Sequence, residues 1–102
     1  MNEQDVTFAV PAGDIHCIAE FMQCHGILNM ELRHSEYYGG EYYVSDVGKE
    51  TVRIFNNFDG VEYVVDEFPD YPTIIKVDST TRIDYWISQF HELSAVVARV
   101  FN

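Results

Sequence analysis

Residues 27–47, ILNMELRHSEYYGGEYYVSDV, decide how the rest of the chain is read. Residues 27–34 alternate strictly, with Leu28, Met30 and Leu32 on one face, which is the period of a half-buried strand. Gly39 and Gly40 then offer a two-residue loop, because glycine enters the φ > 0 conformations of a tight hairpin without a Cβ clash. Such a loop pairs Tyr38 with Glu41, Tyr37 with Tyr42, Glu36 with Tyr43, Arg33 with Asp46 and Leu32 with Val47. Leucine then meets valine on the core face and arginine meets aspartate on the outer one. A slip of one residue would reverse both faces.

A second hairpin is expected over TVRIFNNFDGVEYVVDEF (51–68), turning at Asp59-Gly60 and pairing Phe58 with Val61, Ile54 with Val65 and Arg53 with Asp66. Upstream, DVTFAV (5–10) predicts a first strand ended by Pro11. GDIHCIAEFMQCHG (13–26) predicts a helix capped by Gly13 or Asp14, with Ile15, Ile18, Ala19 and Met22 at helical spacing and Gly26 as its stop. Downstream, PDYP (69–72) breaks the sheet and TIIKV (73–77) reads as a buried strand. DSTTRIDYWISQFHEL (78–93) reads as a second helix, capped by Ser79 or Thr80, with Ile83, Trp86, Ile87 and Phe90 as its apolar stripe. The tail SAVVARVFN (94–102) fits helix and strand equally. The expected fold is α+β: one domain, a largely antiparallel sheet of five to six strands, and two helices on one face.

A chain of 102 residues, 47% hydrophobic and 15% aromatic, can build one core but not two. Its net charge of −11 opposes nucleic acid and anionic lipid and favours basic partners. The start, MNEQDVTFAVP, has neither the basic residues nor the apolar run of a signal peptide, and no stretch reads as a membrane span. Cys17 and Cys24 lie two turns apart on one predicted helix, roughly 10 Å between Cα atoms, too far for a disulfide. Reduced thiols and a cytoplasmic location are the expectation.

Catalytic patterns are absent from this sequence. FHEL (90–93) lacks the second histidine of a zinc helix, and there is no phosphate-binding glycine loop and no nucleophile elbow. Cys17, Glu20 and Cys24 could share a helical face as soft-metal ligands, but an ordinary surface accounts for them more simply. The expectation is no enzyme, no cofactor and no metal.

The stronger signal is distribution. Residues 36–71 hold nine acids against two bases, Lys49 and Arg53, a net of −7. The same segment holds six of the seven tyrosines. Tyrosine brings contact area and a hydroxyl at low entropic cost, and clustered carboxylates steer a basic partner. Tyr43 and Tyr63 fall on apolar faces and are assigned to the core. The candidate partner-binding residues are Glu36, Tyr37, Tyr38, Glu41, Tyr42, Asp59, Glu62, Asp66, Glu67, Asp70 and Tyr71. The plain alternative is a solvated sheet face, since tyrosines form strands well and acids protect sheet edges.

In overall character the chain resembles the immunity proteins of contact-dependent inhibition and other polymorphic toxin systems. The features that carry the resemblance are its length, the acidic segments EYYGGEYYVSD (36–46) and FDGVEYVVDEFPDYP (58–72), and STTRIDYWISQF (79–90). The resemblance implies a stoichiometric complex with a basic toxin domain, often a nuclease. The alternatives are a phage-type DNA mimic that blocks a nucleic-acid enzyme, and a small Cys/His metal protein or enzyme.

Overall fold

A computed structural model describes residues 2–102, which form six strands and two α-helices. The strands are β1 (Gln4–Val10), β2 (Glu31–Ser35), β3 (Gly40–Val47), β4 (Glu50–Asn56), β5 (Thr73–Thr80) and β6 (Val96–Phe101). The helices are α1 (Ile15–Cys24) and α2 (Ile83–Gln89). All strands join one antiparallel sheet in the order β2-β3-β4-β5-β1-β6. The tail is therefore a strand, and the α+β class with both helices on one face is as expected.

Alternation along the strands divides the interior in two. Val6, Phe8 and Val10 of β1, Val52 and Ile54 of β4, and Ile75 and Val77 of β5 face the helices, where they meet Ile15, Ile18, Ala19 and Met22 of α1, Trp86 of α2 and Phe90 at the α2 C-terminus. Fully burying side chains of this size stabilises by about 1.5–3 kcal/mol each, so this layer carries most of the fold. The opposite face holds a smaller cluster of Ala9, Phe55, Ile74 and Val65, with Tyr38, Tyr42, Phe68 and Tyr71 packed against it.

α1 begins as its sequence suggests, with the Asp14 carboxylate accepting the backbone N–H of Cys17 at 2.9 Å. α2 is shorter than expected. β5 runs on to Thr80, so Ser79 and Thr80 belong to a strand and the helix starts at Ile83 without a side-chain cap. Thr80 is instead drawn to Glu50. That buried carboxylate accepts from the Thr80 hydroxyl, from Trp86 Nε1 at 3.0 Å, and from Nε and Nη2 of Arg82 at 3.0 and 2.6 Å. Burial alone would raise the pKa of Glu50, but the hydrogen bonds from Arg82, Thr80 and Trp86 outweigh it and bring it down to about 2. Three sequence-distant groups on one carboxylate lock α2 to the sheet.

Both hairpins depart from their expected form. In the first, Leu32 pairs with Tyr43 and Arg33 with Tyr42, four places from the Gly-Gly register. An even displacement keeps every side chain on its face but changes every partner. Arg33 bonds Glu31 at 3.0 Å, Asp46 accepts the Thr51 hydroxyl, and Leu32 is exposed on an edge strand. Residues 27–30 lie outside the strand, although Leu28 and Met30 are buried. The turn is one 3-10 turn over Glu36–Tyr38, with the Ser35 hydroxyl accepting the Tyr37 N–H and Gly39 at φ +76°. This longer turn folds the Tyr38 ring onto Phe55 and Tyr42, at centroid distances of 4.9 and 4.5 Å. A two-residue turn would have left that ring at the tip, and the aromatic burial wins.

The second hairpin does not form. Ile54 pairs with Ile75, and Arg53 lies opposite Lys76 and bonds Asp78 at 2.9 Å rather than Asp66. Residues 57–72 form a loop whose one ladder contact is an isolated Phe58–Tyr63 bridge. β4 has two edges, and β3 and β5 take both. Placing 61–68 in the centre of the sheet would have set Glu62, Asp66 and Glu67 among apolar strands.

Asn57 organises the loop. Its side chain is fully buried, and Nδ2 donates to the carbonyls of Val65, Phe68 and Tyr71 at 3.3, 2.8 and 2.9 Å while Oδ1 accepts the Val65 N–H at 2.8 Å. One amide thus satisfies four backbone groups and fastens the loop over the helix-free face.

A candidate partner-binding groove on the helix-free face

The loop and the hairpin tip meet above this face. Gly39 lies so close to Asp59 that a Cβ on it would stand 2.6 Å from the Asp59 carbonyl oxygen and 2.8 Å from its Cα. Asp59 is itself held by a local turn: Oδ1 accepts the N–H groups of Val61 and Glu62, each at 2.9 Å, and Gly60 takes φ +102°. Bonds from the Glu62 and Val61 backbone hold the Asp59 carboxyl below its usual range, so it stays ionised.

Between tip and loop runs an open groove of about 600 Å³. Its rim carries Glu36, Tyr37, Asp59, Glu62 and Tyr63; Tyr38, Phe55, Val64 and Val65 line its apolar wall, and Thr7, Lys76, Arg99 and Phe101 complete it. Tyr37 is 81% exposed, and Tyr63 and Phe101 are exposed as well. Burial pushes the Tyr38 hydroxyl up, so it stays protonated. Among the described residues, Glu36, Asp59 and Glu62 have no cation within ion-pairing distance, whereas both bases of the groove are engaged. Lys76 Nζ is 3.7 Å from Asp78, and Arg99 Nη2 is 3.2 Å from Glu67 and 3.6 Å from Asp66.

Five of the candidate residues therefore converge: Glu36, Tyr37, Tyr38, Asp59 and Glu62. Six do not line the groove. Glu41 sits beside His16 of α1 at 3.9 Å, next to the Tyr43 hydroxyl that meets His16 Nδ1 at 2.9 Å. Tyr42 is half-buried beside Tyr38, and Tyr71 is half-buried beside Phe68. Asp66 and Glu67 are spent on Arg99, and Asp70 is exposed away from the rim. Tyr43 packs partly against the main core as expected. Tyr63 does not: the strand that assigned it inward is absent, and it joins the rim.

Sequence reading also missed Lys76, Arg99 and Phe101. Each is a polar or terminal position in a strand whose neighbours are apolar, but the role depends on strand order. Asn57 was missed because a buried asparagine in NNF looks like any turn residue.

Elsewhere, Cys17 and Cys24 are exposed and unbridged on α1, and among the described residues no group of three or more His, Cys, Asp and Glu side chains is placed to hold a metal ion. Among the described residues no helix is long and apolar enough to cross a membrane. Compared with protein-family models, curated proteins and solved structures, the chain matches none of them.

Proposed function

We propose that this protein is a stoichiometric binding protein that covers a basic partner protein, and that it acts as an immunity protein neutralising a cognate basic toxin domain in the cytoplasm. One observation carries the reading. Two acidic-aromatic segments some twenty residues apart in sequence meet at Gly39 and Asp59, placing three uncompensated carboxylates and two exposed tyrosines on one groove. Exposed tyrosines beside carboxylates provide contact area together with electrostatic steering, the combination that favours fast and selective capture of a cationic surface. The assignment of the partner as a toxin, often a nuclease, rests on the resemblance in length, charge and segment character. No step of covalent chemistry is ascribed to the chain.

The test is co-purification from the native host, followed by titration calorimetry with the product of the adjacent gene. The expected result is a one-to-one complex with a basic protein, weakened by salt and by loss of the rim carboxylates. Failure to retain any basic protein, with no affinity for the neighbouring gene product, would overturn the reading.

A further inference from the structure

The sheet has two open edges, and they are unlike. β2 exposes Glu31, Arg33 and His34, the charged residues that keep an edge from pairing with another strand. β6, VVARVF, pairs only with β1 and leaves Val97, Val100 and Phe101 41%, 45% and 56% exposed. Its one charge, Arg99, is turned toward Asp66 and Glu67. Its outer backbone N–H and C=O groups form an unprotected template.

We propose that a second copy of this chain pairs with β6, antiparallel, about a two-fold axis between Ala98 and Arg99. The facing pattern of the strand carries the inference. Val97 and Val100 lie opposite Phe8 and Val6 and so point to the helix face. Val96, Arg99 and Phe101 lie opposite Ala9, Thr7 and Asp5 and point to the groove face. The register shifts between Thr7 and Phe8, and the extra residue, Ala98, packs with Val96 on the groove face.

In a regular antiparallel pair, opposite residues share a face, so no axis can fall between two adjacent residues. The bulge removes that obstacle, because the strand now reads groove, helix, groove, groove, helix, groove in either direction. A symmetric pair then sets Val96 against Phe101, Val97 against Val100 and Ala98 against Arg99, with every face matched. The two Arg99 side chains meet near the axis, each with its own Asp66 and Glu67, so two guanidinium groups lie among four carboxylates.

Each copy carries a net charge of −11, and that repulsion opposes the pairing. Salt screens it, so this association strengthens as ionic strength rises, opposite in sign to the capture of a basic partner. The inference is therefore separable from the proposed function.

Sedimentation velocity on the full chain tests it, with reductant present so that Cys17 and Cys24 form no bridge. A dimer whose fraction grows with protein concentration and with salt is expected. Val97→Lys should lower the association constant about tenfold or more. Leu32→Lys, the matching change on the β2 edge, should leave it unaltered. Both positions are exposed, and a thermal melt verifies that each variant is folded. A monomer at every concentration and ionic strength, or a dimer indifferent to Val97→Lys, would overturn the proposal.

Discussion

Gly39 rests directly on the backbone of Asp59, with no room for a β-carbon between them. This contact joins the hairpin tip to the 57–72 loop and thereby makes one groove of two separate acidic segments. Gly39→Ala should force the two apart and add the strain of φ +76°. Gly26→Ala is the matched control, because Gly26 has φ +66° with open space around it. Denaturant unfolding should show a loss of about 1 kcal/mol at Gly26 and about 2–3 kcal/mol at Gly39, the difference being the contact itself. Equal losses would mean that the tip moves away without cost.

Asn57 is the second device that holds the groove. Asn57→Asp keeps the acceptor for the Val65 N–H but removes the Nδ2 amide, whose two N–H groups serve three carbonyls, and adds a buried charge. A loss of about 3 kcal/mol or more is expected, with faster hydrogen exchange confined to residues 58–72 if the sheet survives. Protection unchanged in that loop would show that its aromatic contacts suffice without the amide.

Glu50 predicts the acid limb of stability. Its folded pKa of about 2 lies below the usual 4.5, so the carboxylate contributes stability that is fully present above about pH 4.5 and is lost as pH falls toward 2. The difference amounts to about 3 kcal/mol, an upper figure for a single well-buried group. Glu50→Gln should lower stability by about that much at neutral pH and flatten its fall below pH 4.5. A variant with the wild-type pH profile would remove Glu50 from this role.

Binding and stability should separate at the rim. Tyr37 is 81% exposed, so Tyr37→Ala should shift stability by no more than about 0.5 kcal/mol. In the complex with a basic partner it should cost about 1–2 kcal/mol, and Glu36→Lys should slow association and reduce its salt dependence. Calorimetry and stopped-flow kinetics read these independently of the melt. Parallel loss of stability and affinity would return the tip to a purely structural role.

Much of the architecture was legible because it depends on periodicity and local capping. Alternation in DVTFAV and TIIKV, the Ile15–Met22 stripe and the Asp14 cap required only neighbours in sequence, and all appear where expected. The acidic and tyrosine-rich character of 36–71 was equally visible. What remained hidden depended on competition between distant segments. DGVEYVVDEF had the composition of a strand, but β5 offered β4 a more apolar partner, so the segment became a loop. The Gly-Gly pair invited a tight turn, but Phe55 supplied a surface on which Tyr38 could be buried, and the turn lengthened by two residues. The sequence by itself determined the α+β class, most of the helix-facing core (Leu32 and Ile87, expected in it, are exposed) and the charge of residues 36–71, since these follow from local pattern and composition. Only the tertiary structure decided which strands became neighbours, and with that the meeting of Gly39 with Asp59 and the selection of five rim and wall residues from eleven candidates, because a groove exists only where non-local contacts close it.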